Sequence, residues 1–210
     1  KTAPCVDCEP RNVHRMHDKK VNAAELLAEI VKRIKILMQF LKDKYQTKHE
    51  GGIDPYKSNT IDIINPSTIY EEKWIKNPEY INERINQLFV NFDEKNIYEI
   101  SPINRLSATS YTEDKVKLVF CLRNKIPDIN GEYQLHDCNI VMYVVLHELS
   151  HMMNTEYDTT KDHGTDFWDL FRFLLKNGYE AGIYIPKNYN KHPEMYCGMN
   201  ITYTPFFIDG

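Results

Sequence analysis

Long apolar runs and a secretory leader are both missing from this sequence. No run approaches the roughly 18 residues that a membrane-spanning helix needs, and Lys1 opens a polar segment rather than a signal-peptide core. We therefore expect no membrane span in this chain. Because the chain does not begin with methionine, we also expect a trimmed start that leaves room for a lost leader or anchor.

An excess of basic residues over acidic residues is also missing. The 26 lysines and arginines are outnumbered by 30 acidic residues, and the net charge of -4 argues against a protein that coats nucleic acid. Hydrophobic residues make up 42% and charged residues 27%, values that are typical of a soluble globular protein. The composition therefore indicates a folded protein with no strong nucleic-acid signal.

Cysteine is sparse and odd in number, with five residues scattered along the chain. This favours an intracellular, reducing compartment over a secreted scaffold held by disulfides. We expect Cys121, Cys138 and Cys197 to behave as small buried apolar side chains.

Apolar spacing predicts helices on both sides of a small sheet. The predicted elements are an amphipathic helix from Asn22 to about Tyr45, a helix in NPEYINERINQLFVNF, a strand at 115–122 paired with 108–112, a loop at 127–138, a helix in IVMYVVLHELSHMMNT, and a helix from Asp166 to Lys176. Asn177 and Gly178 are expected to end the last helix, and the tail from Tyr179 is expected to wrap the surface. This order indicates an α+β fold. We divide it into an N-terminal arm and helix at residues 1–50 and a main domain at residues 60–210.

The stretch HELSH lies in the predicted helix that is apolar nearly all round. His147 and His151 are four residues apart, so they share one face and can offer two imidazole nitrogens to a zinc ion. Glu148 lies beside them, within reach of a metal-bound water as a general base. Burying these polar groups without partners is costly, which favours a metal site over a chance pattern.

A catalytic zinc ion takes three protein ligands and keeps one position open for water. His163 follows His151 by twelve residues and is the nearest suitable donor. We therefore expect His147, His151 and His163 to bind one zinc ion.

HELSHM followed by DHGTDFWDLFRFLL resembles the WLM and SprT group of zinc metalloproteases. SYTEDKVKLVFCLRN and HPEMYCGMNIT also resemble segments of metallopeptidase-like proteins of large DNA viruses. The resemblance covers about residues 105–205. It implies a zincin-like metalloprotease domain with a small sheet and an active-site helix. The interval between the second and third histidines is usually shorter in the WLM group, and some zincins use an acidic ligand, so Glu156 stays open as the alternative to His163.

These residues predict a zinc-dependent endopeptidase that acts on a protein or peptide substrate. Strand 115–122 is expected to pair with an extended substrate along its edge, and Tyr196 or Tyr203 is expected to donate a hydrogen bond to the transition state. Two alternatives stay open: a zincin-fold structural or binding protein of a virion with little or no proteolysis, and a hydrolase of another bond. The viral resemblance suggests the host cytoplasm or the virion as the location.

The N-terminal arm carries a second group of potential ligands, Cys5, Cys8, His14 and His17. They are suited to a second, structural zinc ion, although the gap between the two pairs is shorter than in a usual zinc finger. Alternatively, a thiolate from this arm blocks the catalytic zinc and keeps the enzyme latent, or the ligands are incidental.

The helix after the arm has a basic face in KRIKILMQFLKDK. A basic face beside an apolar one is suited to a membrane surface or an acidic polymer, and the helix is also a candidate contact for a virion or other protein partner. Packing on the helix's own domain is the simpler interpretation. His49, His136 and His192 have no partner at useful spacing and are expected at the surface.

Overall fold

The computed structural model describes residues 20–46, 77–101, 110–154 and 163–207. Within these ranges the chain is a mixed α+β fold with four α-helices and two small sheets. The helices are α1 (Lys20–Leu41), α2 (Pro78–Asn91), α3 (Cys138–Met153) and α4 (Thr165–Glu180). The strands are β1 (Ile97–Glu99), β2 (Tyr111–Glu113), β3 (Lys117–Phe120), β4 (Glu194–Tyr196) and β5 (Met199–Ile201).

α1 packs its apolar stripe against α3 and α4. Ile30, Ile34 and Leu37 are fully buried, as their helical spacing predicts. A π-helical turn (Lys42–Gln46) extends the helix to the predicted end. The predicted amphipathic helix and its packing on its own protein are confirmed. The division into residues 1–50 and 60–210 stays a prediction, although α1 shares one hydrophobic core with the later helices.

α2 begins where its sequence contains helix-start signals. The side chain of Asn77 accepts a hydrogen bond from the backbone N–H of Tyr80, and Pro78 occupies the first turn, where its missing N–H costs nothing. Ile81, Ile85 and Leu88 are fully buried. The second predicted helix is therefore confirmed.

α3 is the central helix and is buried nearly all round, as its composition predicts. Asp137 caps its start by accepting from the backbone N–H of Asn139. Beyond the first turn, His147 and His151 are the residues of this helix that retain appreciable exposure. The helix therefore presents its two histidines at the surface and packs the rest of its length into the core.

α4 is longer than the sequence predicts, because it continues through Gly178 to Glu180. The expectation that Asn177 and Gly178 end this helix is wrong. A Cβ atom at position 178 would lie 3.1 Å from the Cδ1 atom of Leu146 on α3. Gly178 therefore allows α3 and α4 to approach closely and does not end α4.

The larger sheet has the strand order β1-β3-β2. β3 is parallel to β1 and antiparallel to β2, and Leu118 pairs with Ile97 on one side and Thr112 on the other. Both edges of β3 are thus occupied, and β1 and β2 are the two edge strands, of which β2 contacts α3. The expectation that a substrate pairs along the strand predicted at 115–122 is therefore wrong for β3.

The C-terminal tail is more buried than expected. β4 and β5 form a hairpin whose turn uses Cys197 and Gly198, both with positive φ. Tyr184, Tyr189 and Phe206 are almost completely buried. The tail therefore completes the hydrophobic core rather than only covering the surface.

Cys121 and Cys197 form a disulfide that joins the residue after β3 to the β4–β5 hairpin. Both cysteines are buried, as predicted, but they do not act as separate small apolar side chains, because folding brings together residues that are 76 positions apart. Cys138 is a free cysteine and is half-buried. Burial raises the pKa of its thiol.

Removing this disulfide should destabilise the fold. A cross-link that spans 76 residues is expected to lower the free energy of the folded state relative to the unfolded chain by about 4 kcal/mol. We expect a Cys121→Ser, Cys197→Ser variant to lose stability to this extent in urea unfolding. A Cys138→Ser variant, the matched control, should unfold like the parent protein. Equal stability of oxidised and reduced parent protein would contradict the prediction.

No helix within the described ranges is long and apolar enough to cross a membrane. Several predicted residues lie outside these ranges: Cys5, Cys8, His14, His17, His49 and Glu156. The second zinc site, the inhibitory thiol and the acidic third ligand therefore stay predictions.

Candidate metal site

Three histidines converge beside α3. The ligand atoms of His147, His151 and His163 lie within 4.8 Å of one another, so the three residues can form a metal-binding cluster. Their ring centroids are 5.0 to 5.1 Å apart in all three pairs. The Nε2 atoms of His147 and His163 are 3.2 Å apart. These distances describe a nearly equilateral triangle of imidazoles.

The triangle is built by two helices. α3 supplies His147 and His151 from adjacent turns, and His163 lies two residues before the start of α4 at Thr165. The ring of Phe167, which is fully buried, lies 4.4 to 4.9 Å from the centroids of all three histidines. Phe167 therefore forms an apolar floor that limits the orientations of the three rings.

The histidines differ in exposure, and this affects their charge. His163 is exposed, whereas His147 and His151 are half-buried. Burial, followed by repulsion from His151 and His163, lowers the pKa of His147 to about 3. His147 is therefore neutral at pH 7 and keeps a nitrogen lone pair, which is the form that binds a metal.

Glu148 follows His147 on α3 and is buried, with 5% of its surface exposed. Burial raises the pKa of its carboxyl group to about 7, and hydrogen bonds from Thr112 oppose that rise. The hydroxyl of Thr112 lies 2.7 Å from Glu148 Oε2. Thr112 was not predicted from sequence, because a lone threonine in a short strand gives no signal of this contact.

Tyr196 lies deep in the protein near Glu148. Its hydroxyl is 2.8 Å from the hydroxyl of Ser110, which also accepts a hydrogen bond from the backbone N–H of Cys121. Burial raises the pKa of Tyr196, and the negative charge of Glu148 adds to the rise. A side chain that is 1% exposed does not meet a substrate without movement of the surrounding residues.

Tyr203 lies on the accessible side of the site and is 50% exposed. Its ring packs edge-on against Trp168 at 5.1 Å, and Trp168 lies 5.8 Å from the ring of His163. The hydroxyl of Tyr143 donates to the backbone oxygen of Tyr203 and anchors it. Both tyrosines stay predictions as transition-state donors, and Tyr203 has the more accessible side chain.

His136 is not a surface residue, contrary to expectation, whereas His192 is exposed as predicted. The Nε2 atom of His136 accepts a hydrogen bond from the backbone N–H of Cys197, and its ring lies 4.7 Å from Tyr196. The residue was missed because its partners are about 60 positions away in the sequence. His136 therefore supports the hairpin that carries Tyr196.

His136 should make stability depend on pH. Burial lowers its pKa to about 4, opposed by the charge of Glu194. The unfolded chain binds a proton below about pH 6.5, and the folded chain does so only near pH 4, so the stability due to neutral His136 is full above pH 6.5 and lost as the pH falls toward 4. Between pH 7 and pH 4.5 we expect the parent protein to lose about 2 kcal/mol more than a His136→Gln variant in urea unfolding.

The matched control for this measurement is His192→Gln, which changes an exposed histidine and should retain the parent's pH dependence. An identical pH dependence in the parent and the His136→Gln variant would contradict the prediction.

The chain is similar to an uncharacterized viral protein. No established family model matches the chain, and no solved structure is significantly similar to it. The sequence is 34% identical to the uncharacterized protein R325 of Acanthamoeba polyphaga mimivirus over 183 residues, which is 87% of this chain and 72% of the viral protein. The match extends well beyond the histidine cluster, and the chain therefore belongs to the same family as this mimivirus protein.

Proposed function

We propose that this protein is a zinc-dependent endopeptidase with a zincin-like domain, similar to the WLM and SprT group. The observation that carries the proposal is the convergence of His147, His151 and His163, two of them on the helix that also carries the buried carboxylate of Glu148. Three imidazoles and one carboxylate on the same helix are the donor set and the base that metal-assisted hydrolysis requires.

One pair of ligand atoms in the histidine cluster has the spacing that a bound zinc ion requires. Two nitrogens that bind one tetrahedral zinc ion at about 2.0 to 2.1 Å lie about 3.3 Å apart. The distance between His147 Nε2 and His163 Nε2 is 3.2 Å. His147, His151 and His163 would hold the ion, and the exposure of His163 supports access to the site from solvent.

A bound zinc ion supplies Lewis-acid polarisation of a carbonyl group and acidification of water. The chain's own residues then have separate tasks. The carboxylate of Glu148 would accept a proton from the attacking water and pass it to the leaving amine. Phe167 keeps the inner side of the histidine cluster apolar, and Thr112 holds one oxygen of Glu148.

The edge strand β2 supports a peptide as substrate. It pairs with β3 on one side and contacts α3, which carries Glu148. Within the described ranges no strand pairs with its other edge. An extended peptide can add to such an edge through backbone hydrogen bonds, so we assign substrate binding to β2 in place of β3. Sequence similarity to a mimivirus protein suggests that the substrates are proteins of an infected cell or a virion.

Zinc content and casein cleavage test the proposal together. We expect about one zinc ion per purified chain by mass spectrometry, loss of cleavage after chelation, and recovery when zinc is restored. Zinc without cleavage would favour a structural or binding protein of a virion. A chain that binds no zinc would overturn the metal site itself.

A further inference from the structure

The hydroxyl of Thr112 has two acceptors on Glu148. Its Oγ1 atom lies 2.7 Å from the side-chain Oε2 and 3.2 Å from the backbone oxygen of the same residue. A hydroxyl has one proton to donate, and the shorter contact to a carboxylate is the stronger bond. The hydroxyl is therefore directed mainly at the carboxylate.

This bond joins two regular elements. Thr112 is the middle residue of β2 and pairs with Leu118 on β3, so its position is set by the sheet. Glu148 lies in the interior of α3 and is buried. A glutamate side chain has three rotatable bonds, and a hydrogen bond from a rigid strand restricts them to one arrangement.

We propose that Thr112 is a positioning residue for Glu148, a role that rests on the proposed peptidase function. By holding Oε2, Thr112 directs Oε1 toward the histidine cluster as the oxygen that accepts the proton. Correct placement of a general base affects kcat more than KM. A misplaced base does not reach the proton that it accepts in the transition state, whereas the substrate still binds.

The matched pair Thr112→Val and Thr112→Ser tests this role in the zinc-loaded full chain. Valine keeps the shape and removes the hydroxyl, whereas serine keeps the hydroxyl. We expect Thr112→Val to lower kcat for peptide cleavage by about 10- to 100-fold with little change in KM, and Thr112→Ser to restore kcat to within a few-fold of the parent. Thr202→Val, at an exposed position, is the control and should behave like the parent.

Two kinetic results would overturn the proposal. The first is a Thr112→Val variant with parental kcat. The second is an equal loss in Thr112→Val and Thr112→Ser, which would indicate that packing of the methyl group and not the hydroxyl is required. Thermal unfolding of both variants separates these results from a failure to fold.

Crystal structures give a readout that does not depend on activity. We expect one Glu148 conformation in the zinc-loaded parent and in Thr112→Ser, and several or a shifted one in Thr112→Val. If the parent cleaves no peptide, the proposed function fails, and these structures still decide whether Thr112 positions Glu148. An unchanged Glu148 conformation in Thr112→Val would overturn the positioning role by itself.

Discussion

The Glu148→Gln variant is expected to bind zinc normally and to cleave peptides about 10³-fold more slowly than the parent, since general-base catalysis contributes roughly 10²- to 10⁴-fold. Glutamine matches glutamate in size and can accept the hydrogen bond from Thr112, but it cannot take a proton from water at neutral pH. The histidine cluster is left intact. The expected result is thus a loss of kcat without a loss of metal, measured by single-substrate kinetics beside zinc analysis.

The matched control for this variant is Glu25→Gln, which removes one negative charge at an exposed position on α1. It should retain the parental kcat. Parental activity in Glu148→Gln would show that another group serves as the base. Loss of zinc in Glu148→Gln would show that the carboxylate supports the metal site rather than the chemical step.

The His163→Ala variant is expected to lower zinc affinity more than the roughly 10- to 100-fold that loss of a supporting residue costs, because it removes one of three direct ligands. The ligand atoms of His147 and His151 would then have to hold the ion from one helix face alone. Competition with a chromogenic zinc chelator measures the affinity. Peptide cleavage should fall in parallel, and excess zinc should restore part of it.

The control for the third ligand is Glu156→Gln, because Glu156 is the acidic alternative suggested by the sequence. This variant should bind zinc like the parent if His163 is the ligand. The reverse pattern, with affinity lost in Glu156→Gln and kept in His163→Ala, would assign the third position to the carboxylate.

The helices, and the placement of His147 and His151 on one helix face, were predictable because each depends on residues close in sequence. The apolar stripe of α1 and the apolar composition of α3 predict which faces are buried. The four-residue interval between His147 and His151 places both on one helix face wherever that helix lies. Local periodicity is enough for these features, since every contact that defines them spans one or two helical turns.

The features that the sequence did not predict depend on how helices and strands pack against one another and on contacts between residues far apart in the sequence. Thr112 reaches Glu148 across 36 positions, and His136 reaches Cys197 across 61. Whether Gly178 ends a helix or lets two helices approach depends on where Leu146 of α3 lies. No local pattern distinguishes these outcomes, because each depends on how separate elements pack.

Local patterns in the sequence therefore predicted the α+β fold class, the central helix, the two histidines on one of its faces, and His163 as a candidate third ligand. Only the folded chain shows that the predicted ligand His163 lies beside His147 and His151, that Cys121 pairs with Cys197, and that β3 is the central strand with β2 at one edge of the sheet. The two groups of features differ in the sequence distance between the residues that define them. Helix periodicity is a local property of the chain, whereas side chains from separate elements meet only after the core has packed.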